Sequence, residues 1–248
     1  MSLIDSEALP RRTMQLFFVV DTSGSMRGEK IGAVNDAIRN VLPIVRDISN
    51  DNSDAEIKVV ALNFSNGCEW LYSEAKNVEN FEWIDQTAAG GTDLGEACRN
   101  IEKVLHQKNG WMGSGSGSYA PVFILLSDGG ATDDFDSGVA ALWKNKWFIA
   151  GIKVAIAIGN DADTDALAKF TGNIERVIRV HDVETLKKVI RIVAVTSSQI
   201  GSSGGSTHDG GKDVKKEEEA TKAIGEQLAE DNVEIGAEIN NTYSDDDF

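Results

Sequence analysis

The chain has 248 residues, of which 41% are hydrophobic, and it carries a formal net charge of −16 at pH 7. This length and apolar content fit one α/β domain of ordinary size with an appendage. A charge this negative argues against a nucleic-acid partner, because nucleic acids are bound mainly through Lys and Arg side chains.

The first twelve residues, from Met1 to Arg12, are mostly polar. They show no apolar core followed by a cleavage site, and no run in the chain has the roughly 20 apolar residues that a helix needs to span a bilayer. We therefore expect residues 1–12 to form an N-terminal extension, and we expect a cytoplasmic protein with no membrane partner.

The first predicted strand covers residues 14–20 and leads into Asp21, Ser23 and Ser25. An extended chain projects alternate side chains to the same side, so these three can converge once the chain turns at Gly24. Carboxylate and hydroxyl oxygens are the ligands that Mg²⁺ and Mn²⁺ prefer. Since Asp, Ser and Gly also build ordinary turns, the spacing by itself leaves a metal site and a plain loop both open.

Apolar residues recur at helical spacing across 31–48, although Pro43 should kink this helix or end its regular part. Further strands are predicted at 56–64, 121–127, 152–158 and 176–180, and further helices at 94–105 and 182–197. Such alternation of strands and helices is typical of a mostly parallel, doubly wound sheet. The predicted fold class is therefore α/β, a Rossmann-like fold in which helices flank a mostly parallel central sheet.

Two later segments place polar residues at one edge of this sheet. Thr92 lies in a glycine turn directly before the helix at 94–105, and Asp128 follows the strand at 121–127. Ligands of such a sheet bind beyond the carboxyl ends of the strands, so Asp21, Thr92 and Asp128 are expected to surround one site. Here the chain resembles the von Willebrand factor A domain, whose metal-ion-dependent adhesion site combines D-x-S-x-S, a Thr in a second loop and an Asp in a third.

The resemblance covers residues 12–195 and implies a domain at 13–198 that is a metal-dependent protein-interaction module and not an enzyme. The implied ligands are Asp21, Ser23, Ser25, Thr92 and Asp128. The two serines would bind Mg²⁺ or Mn²⁺ directly, and the threonine would bind it directly or through water. The two aspartates would hold coordinated water or the ion itself. An Asp or Glu of a protein partner would then complete the coordination.

The segment that ends at Phe135 also resembles the T-D-G-x-P-T-D-D-W stretch of TerY-like proteins from tellurium-resistance gene clusters. Ser127 stands in place of the Thr, Ala131 in place of the Pro and Phe135 in place of the Trp. The implied setting is a cytoplasmic module of bacterial stress response or signalling that works with a protein kinase and a phosphatase. Asp133 and Asp134 either steer a partner or support the metal, or they belong to a solvated turn that starts a helix.

Other metal patterns in the sequence are weaker. Asp161, Asp163 and Asp165 have the spacing that opens an EF-hand, but Ala166 and Gly172 occupy the positions where Gly and Glu are expected. A loop that caps a helix is therefore favoured there. The three histidines are dispersed along the chain, so a zinc site is unsupported.

Two other functions stay open beside the interaction module. One is a Mg²⁺-dependent hydrolase on a Rossmann-like fold, acting on phosphate esters. It is disfavoured because Ser23 stands where aspartyl-type phosphatases have a second acid. The other is a structural subunit whose metal only stabilises the fold.

Residues 199–248 are predicted to be an acidic, flexible tail that could include a short helix. From residue 201 onward the chain carries 13 acidic and 4 basic side chains, and it begins with the linker-like run Gly-Ser-Ser-Gly-Gly-Ser. An apolar edge leaves two alternatives open, a disordered tail and a segment docked on the domain or on a partner. That edge comprises Ile224, Leu228, Val233, Ile235 and Ile239. The acidic end Asp245–Asp247 could reach the metal site of another copy.

Overall fold

The computed structural model describes residues 11–108, 110–113, 116–203 and 210–231. In these residues the strands are β1 (Arg12–Asp21), β2 (Ala55–Ser65), β3 (Gly67–Trp70), β4 (Lys76–Asn77), β5 (Val122–Ser127), β6 (Ile152–Ile158) and β7 (Val177–Val180). The helices are α1 (Glu29–Asp51), α2 (Leu94–Val104), α3 (Phe135–Leu142), α4 (Lys146–Ala150), α5 (Thr164–Thr171), α6 (Val183–Ser202) and α7 (Gly210–Glu230). None of these described helices is both long and apolar enough to cross a membrane.

The strands form one sheet in the order β3-β2-β1-β5-β6-β7, and β4 also pairs with β2. β1, β2, β5, β6 and β7 are parallel, whereas β3 and β4 pair with β2 in the antiparallel sense. The chain builds outward from β1 to β2 on one side and from β5 to β7 on the other. The strand order therefore reverses between β1 and β5, where ligands bind in open α/β sheets. This arrangement confirms the predicted Rossmann-like α/β fold.

Helices cover both faces of the sheet, which explains why β1 is apolar along most of its length. Leu16 and Phe18 belong to the core shared with α1 and α6, whereas Phe17 and Val19 belong to the core shared with α2, α3 and α5. All four side chains are fully buried. Since successive residues of a strand point to opposite faces, a central strand of this sheet has to be apolar at every position.

The five strands expected from the sequence are present, with ends that shift by at most two residues. β3 and β4 were not expected. They are four and two residues long and lie at the edge of the sheet, and runs this short show no usable alternation of apolar and polar residues.

Pro43 was expected to kink this helix or to end its regular part, and helix α1 continues through it to Asp51, so the proline does not end the helix. Pro43 is exposed, and so is Arg39, whose carbonyl oxygen has no N–H partner one turn later. Water can hydrate that oxygen on the exposed side of the helix, and this explains why the proline is tolerated.

The C-terminal part of the structure differs from the predicted domain limits. The limit at residue 198 falls inside α6, and α7 packs on α6. Ala220, Ile224 and Leu228 of α7 are buried, because their spacing of four residues puts them on one helix face. Residues 210–231 are thus packed on the domain, which is one of the two alternatives that the sequence left open. Outside the described residues lie Val233, Ile235, Ile239, Asp245–Asp247 and residues 1–10 of the extension.

A buried ionic cluster connects α7 to the sheet. Lys153 of β6 is completely buried, and its ammonium lies 3.1 Å from Glu217 Oε1 and donates to the carbonyl oxygens of Phe148 at 2.9 Å and Gly151 at 2.6 Å. A guanidinium nitrogen of Arg176 lies 3.0 Å from the same Glu217 oxygen. Burial lowers the pKa of Lys153 and raises the pKa of Glu217, and the attraction between the two charges opposes both shifts.

Candidate functional site

The end of β1 brings the first polar side chains to the point where the strand order reverses. Asp21 is the last residue of β1 and is fully buried. Its Oδ1 accepts a hydrogen bond from the Ser23 N–H at 2.8 Å, and its Oδ2 accepts one from the Ser127 hydroxyl at 2.6 Å. Burial raises the pKa of Asp21, and these hydrogen bonds act in the opposite direction. The carboxylate is therefore held in one orientation by neutral donors.

A second set of hydrogen bonds joins the two serines to the loop after β5. Ser23 Oγ and Ser25 Oγ are 2.9 Å apart, and the Ser25 hydroxyl donates to Asp128 Oδ1 at 2.8 Å. Ser23 and Asp128 are buried, whereas Ser25 is exposed, so the cluster opens to solvent on that side. The structure thus brings together four of the predicted site residues: Asp21, Ser23, Ser25 and Asp128.

Thr92, the fifth predicted site residue, is buried in the loop before α2. The Gly90 carbonyl of this loop accepts a hydrogen bond from the Gly24 N–H at 3.0 Å, which places the loop against the two serines. On the other side, the Thr92 N–H donates to Thr132 Oγ1 at 2.8 Å, and the Thr132 N–H donates to the Thr92 carbonyl at 2.9 Å. The loop of Thr92 is therefore joined, through Gly90 and Thr92, to the loops that carry the other four residues.

A glycine is required at the tip of this loop. Gly90 has φ of +86°, a region that favours glycine, and a Cβ there would lie 2.8 Å from Asn66 Nδ2. The Asn66 Oδ1 accepts a hydrogen bond from the Gly91 N–H at 2.7 Å. The Asn66 side chain thus fixes the turn that precedes Thr92.

Two side chains of the site were missed by the sequence analysis as site residues. The Ser127 hydroxyl donates to Asp21 and accepts a hydrogen bond from the Gly129 N–H at 2.8 Å, so it connects the ends of β1 and β5. Lys30, in the first turn of α1, places its ammonium 3.0 Å from Asp128 Oδ2. Ser127 could have been predicted, because it directly precedes Asp128. Lys30 could not, because it lies 98 positions from Asp128 and no local pattern relates the two.

Asp133 and Asp134 both cap helices. Asp133 accepts hydrogen bonds from the N–H groups of Gly95 and Glu96, each at 2.8 Å, at the start of α2. Asp134 accepts one from the Ser137 N–H at 3.3 Å at the start of α3. The contacts favour the alternative of a turn that starts a helix. The helix that Asp133 caps begins directly after the loop of Thr92, so Asp133 lies close to the site.

Asp163 caps α5 by accepting a hydrogen bond from the Ala166 N–H at 3.1 Å, which confirms the predicted capping loop. The Asp163 N–H donates to the Asp128 carbonyl at 3.0 Å. A Cβ at Gly129, where φ is +88°, would approach the Asp163 carbonyl oxygen to 2.8 Å. The capping loop therefore bonds to the Asp128 carbonyl and packs closely against the next residue, Gly129.

The oxygen atoms of the cluster fit a hard divalent cation. Two carboxylates and two hydroxyls converge, and these are ligand types that Mg²⁺ and Mn²⁺ prefer. In the part of the chain that the structure describes, no group of three or more His, Cys, Asp or Glu side chains is arranged to hold a metal. A cation at this site would therefore depend on hydroxyl oxygens, while Asp21 and Asp128 balance its charge.

A family model described as von Willebrand factor type A domain matches residues 15–192. The matched part begins in β1 and ends in α6, so it includes all five predicted site residues. No curated protein matches the chain.

Solved structures share this fold at low sequence identity. A von Willebrand factor type A protein from Catenulispora acidiphila is 18% identical with a TM-score of 0.53, over 75% of this chain and 43% of that chain. Proximal thread matrix protein 1 from the mussel byssus, with zinc in its metal-ion-dependent adhesion site (MIDAS) motif, is 15% identical with a TM-score of 0.57, over 77% of this chain and 49% of that chain. The pilus adhesin SpaC from Lactobacillus rhamnosus GG is 14% identical with a TM-score of 0.57, over 75% and 30%. The chain thus spans less than half the length of each.

Proposed function

Because the chain belongs to the von Willebrand factor type A family, we propose that it is a metal-dependent protein-interaction module and not an enzyme. This family often mediates metal-dependent protein interactions, and its members are mostly adhesion or interaction modules. In our proposal, Mg²⁺ or Mn²⁺ is held by Asp21, Ser23, Ser25, Thr92 and Asp128.

The hydrogen-bonded cluster at the ends of β1 and β5 is the observation that carries this proposal. The two serine hydroxyls and Asp128 Oδ1 follow one another at 2.9 and 2.8 Å. Oxygens at such distances can share one cation after small movements, since each exchanges a hydrogen bond for a metal contact. The exposure of Ser25 leaves room for a partner on the solvent side.

Each residue has a separate task in this proposal. Ser23 and Ser25 contact the ion as neutral ligands, and Thr92 contacts it directly or through water. Asp21 and Asp128 supply two negative charges, and the Ser127 hydroxyl keeps Asp21 in place. When bound, the ion offers an open coordination position for a carboxylate oxygen of the partner.

The choice of ion follows from the donor set. The zinc-occupied motif of the mussel protein supports a divalent ion in a related fold. Serine, threonine and aspartate oxygens favour Mg²⁺ or Mn²⁺ over softer ions. A Mg²⁺-dependent hydrolase is the alternative, and steady turnover of phosphate esters by the purified protein would favour it.

The partner in this proposal presents an Asp or Glu to the ion. A chain of net charge −16 repels acidic surfaces, so such a partner needs the metal to bind.

From the resemblance at residues 127–135 we further propose a cytoplasmic role in bacterial stress response, with a protein kinase and a phosphatase as partners. Binding of the purified partners that survives a chelator unchanged would indicate a structural metal or none.

Calorimetric titration of the full chain with Mg²⁺ and Mn²⁺ tests the site. We expect Ser23→Ala and Ser25→Ala each to weaken metal binding by about tenfold or more, or ~1.4 kcal/mol, because each removes a ligand oxygen. The control is Ser53→Ala, at an exposed position after α1, which should keep the affinity of the parent. Unchanged binding in both site variants, or no binding by the parent, would refute the metal site.

A further inference from the structure

Lys30 shares Asp128 with the proposed metal ligands. Its ammonium lies 3.0 Å from Asp128 Oδ2, while Oδ1 of the same carboxylate accepts the Ser25 hydroxyl at 2.8 Å. The Lys30 side chain is 35% exposed, so the ammonium keeps contact with solvent and is not locked into the interior. A positive charge therefore already lies on the carboxylate that a divalent ion would need.

A cavity also borders the Lys30 side chain. Its volume is about 490 Å³, and its lining includes Lys30, Gly159, Glu29, Asp182 and Glu184. Gly159 has φ of +96°, and a Cβ there would lie 3.2 Å from Lys30 Nζ, so the glycine leaves space along the path of the side chain. Asp182 already accepts the Thr185 N–H at 2.9 Å and Glu184 lies 3.8 Å from Lys187, but these carboxylates and that of Glu29 still make the cavity favourable for an ammonium that leaves Asp128.

We propose that Lys30 is an internal cation that competes with the divalent ion for Asp128, and that metal binding moves its ammonium toward this cavity. The inference rests on the proposed metal site. Two cations that share one carboxylate repel each other, so the free energy of metal binding is reduced by the cost of displacing the lysine. Lys30 thereby weakens the site and sets the metal concentration at which it fills.

A supporting role of Lys30 predicts the opposite change in metal affinity. If Lys30 only held Asp128 in the orientation that the metal requires, its removal would lower metal affinity. If Lys30 competes with the metal, its removal raises metal affinity. Affinity for the metal alone therefore separates competition from a supporting role, without any assay of partner binding.

The test is calorimetric titration of the full chain with Mg²⁺ and Mn²⁺. We expect Lys30→Met to tighten binding by about tenfold, or ~1.4 kcal/mol, and Lys30→Gln to act in the same direction if the methionine variant folds poorly. Lys187→Met is the matched control: Lys187 is 34% exposed, pairs with Asp36 at 2.9 Å, and its loss changes the net charge equally. Its affinity should stay within about twofold of the parent.

The outcomes separate this inference from the proposed function. If the parent binds metal and Lys30→Met binds it equally or more weakly, the competition is overturned and the metal site stands. Binding by Lys30→Met when the parent binds too weakly to measure supports both. Absence of binding in the parent and in both Lys30 variants overturns both. An equal gain in the Lys187→Met control attributes the effect to net charge and overturns the specific role of Lys30.

Discussion

Asp21 is a fully buried carboxylate whose pKa is raised above its ordinary value of 3.8, chiefly by burial. A raised pKa means that the folded chain holds the proton more tightly than the unfolded chain. Ionised Asp21 therefore lowers the stability of the metal-free protein as the pH rises above 3.8. A nearby cation acts in the opposite direction, because it favours the charged carboxylate.

Asp21→Asn tests this balance at the scale of one residue. We expect the metal-free variant at pH 7 to melt about 3 °C higher than the parent, or ~1 kcal/mol, because a neutral amide replaces a buried charge. The amide oxygen keeps the Ser23 N–H, and the amide N–H can donate to the Ser127 oxygen in place of the hydrogen bond that the carboxylate accepted there. The proposed metal site predicts that Mg²⁺ raises the Tm of the parent, and the variant should lose this rise. Thermal unfolding followed by circular dichroism, with Mg²⁺ and with EDTA, measures both.

Asp47→Asn, at an exposed position of α1, is the matched control and should leave both values unchanged. A rise in Tm with Mg²⁺ that is as large in Asp21→Asn as in the parent would contradict a ligand role for Asp21. A metal-free variant that melts lower than the parent would contradict the stability argument and leave the ligand role open to the titrations.

Among the elements, α2 depends on a carboxylate from another loop. Asp133 accepts the N–H groups of Gly95 and Glu96 in its first turn, and its Oδ2 lies 3.2 Å from an Arg99 nitrogen. The residue that precedes the helix, Asp93, does not cap it with its side chain. Instead, Asp93 Oδ2 accepts the Gly67 N–H at 2.6 Å. The start of α2 is therefore held from two directions, close to Thr92.

Asp133→Ala should lower the free energy of unfolding by about 1 to 2 kcal/mol, because two helix N–H groups lose their acceptor. We also expect weaker metal binding, since the loop of Thr92 loses its support. Urea unfolding and metal titration measure the two effects, with Asp136→Ala at an exposed position of α3 as the control. Unchanged stability together with weaker partner binding would instead favour a role of Asp133 in steering the partner.

Helix α7 combines apolar burial with the ionic contact of Glu217. Thr196 of α6 adds a hydrogen bond, because its hydroxyl donates to Gln227 Oε1 at 2.7 Å. Lys153 has no solvent exposure, so the loss of Glu217 would leave a buried ammonium with carbonyl oxygens and the rings of Trp143 and Phe148 but without a carboxylate among its described contacts. Buried pairs of this kind are costly to break from one side.

Glu217→Leu should therefore lower the free energy of unfolding by about 3 kcal/mol. Adding Lys153→Met should recover most of this loss, because the double variant no longer buries an unpaired charge. Glu226→Leu, on the same helix but 64% exposed in its pair with Lys222, should change stability by less than about 1 kcal/mol. Equal effects of Glu217→Leu and Glu226→Leu in urea unfolding would show that α7 is not anchored by the buried cluster.

At the scale of the whole molecule, local sequence patterns predicted the main strands and the position of the site. The apolar run at 14–20 predicted the strand β1, and the strand ends predicted the convergence of Asp21, Ser23, Ser25 and Asp128. Their role as metal ligands stays a prediction. The pairing of Lys30 with Asp128 and of Lys153 with Glu217 was not predictable, because each joins residues far apart in the chain.

Composition left the C-terminal part open between a disordered tail and a docked segment, for a physical reason. A glycine and serine run followed by many acidic residues is typical of a flexible tail. In the structure, Ala220, Ile224 and Leu228 suffice to bury one face of α7, and Glu217 meets a lysine and an arginine that the sheet provides. A helix with so narrow an apolar stripe depends on the rest of the fold, which a local pattern does not describe.

The loops of the site are joined to one another largely by main-chain atoms. The Gly24 N–H bonds to Gly90, the Ala89 N–H bonds to the Thr22 carbonyl at 2.8 Å, and Thr92 bonds to the loop after β5. Exposed side chains on these loops, such as those of Thr87 and Ala89, are therefore free to vary while the ligand positions stay fixed. Such a scaffold suits the selection of new binders, since a library randomised at these exposed positions would keep the proposed metal ligands in place.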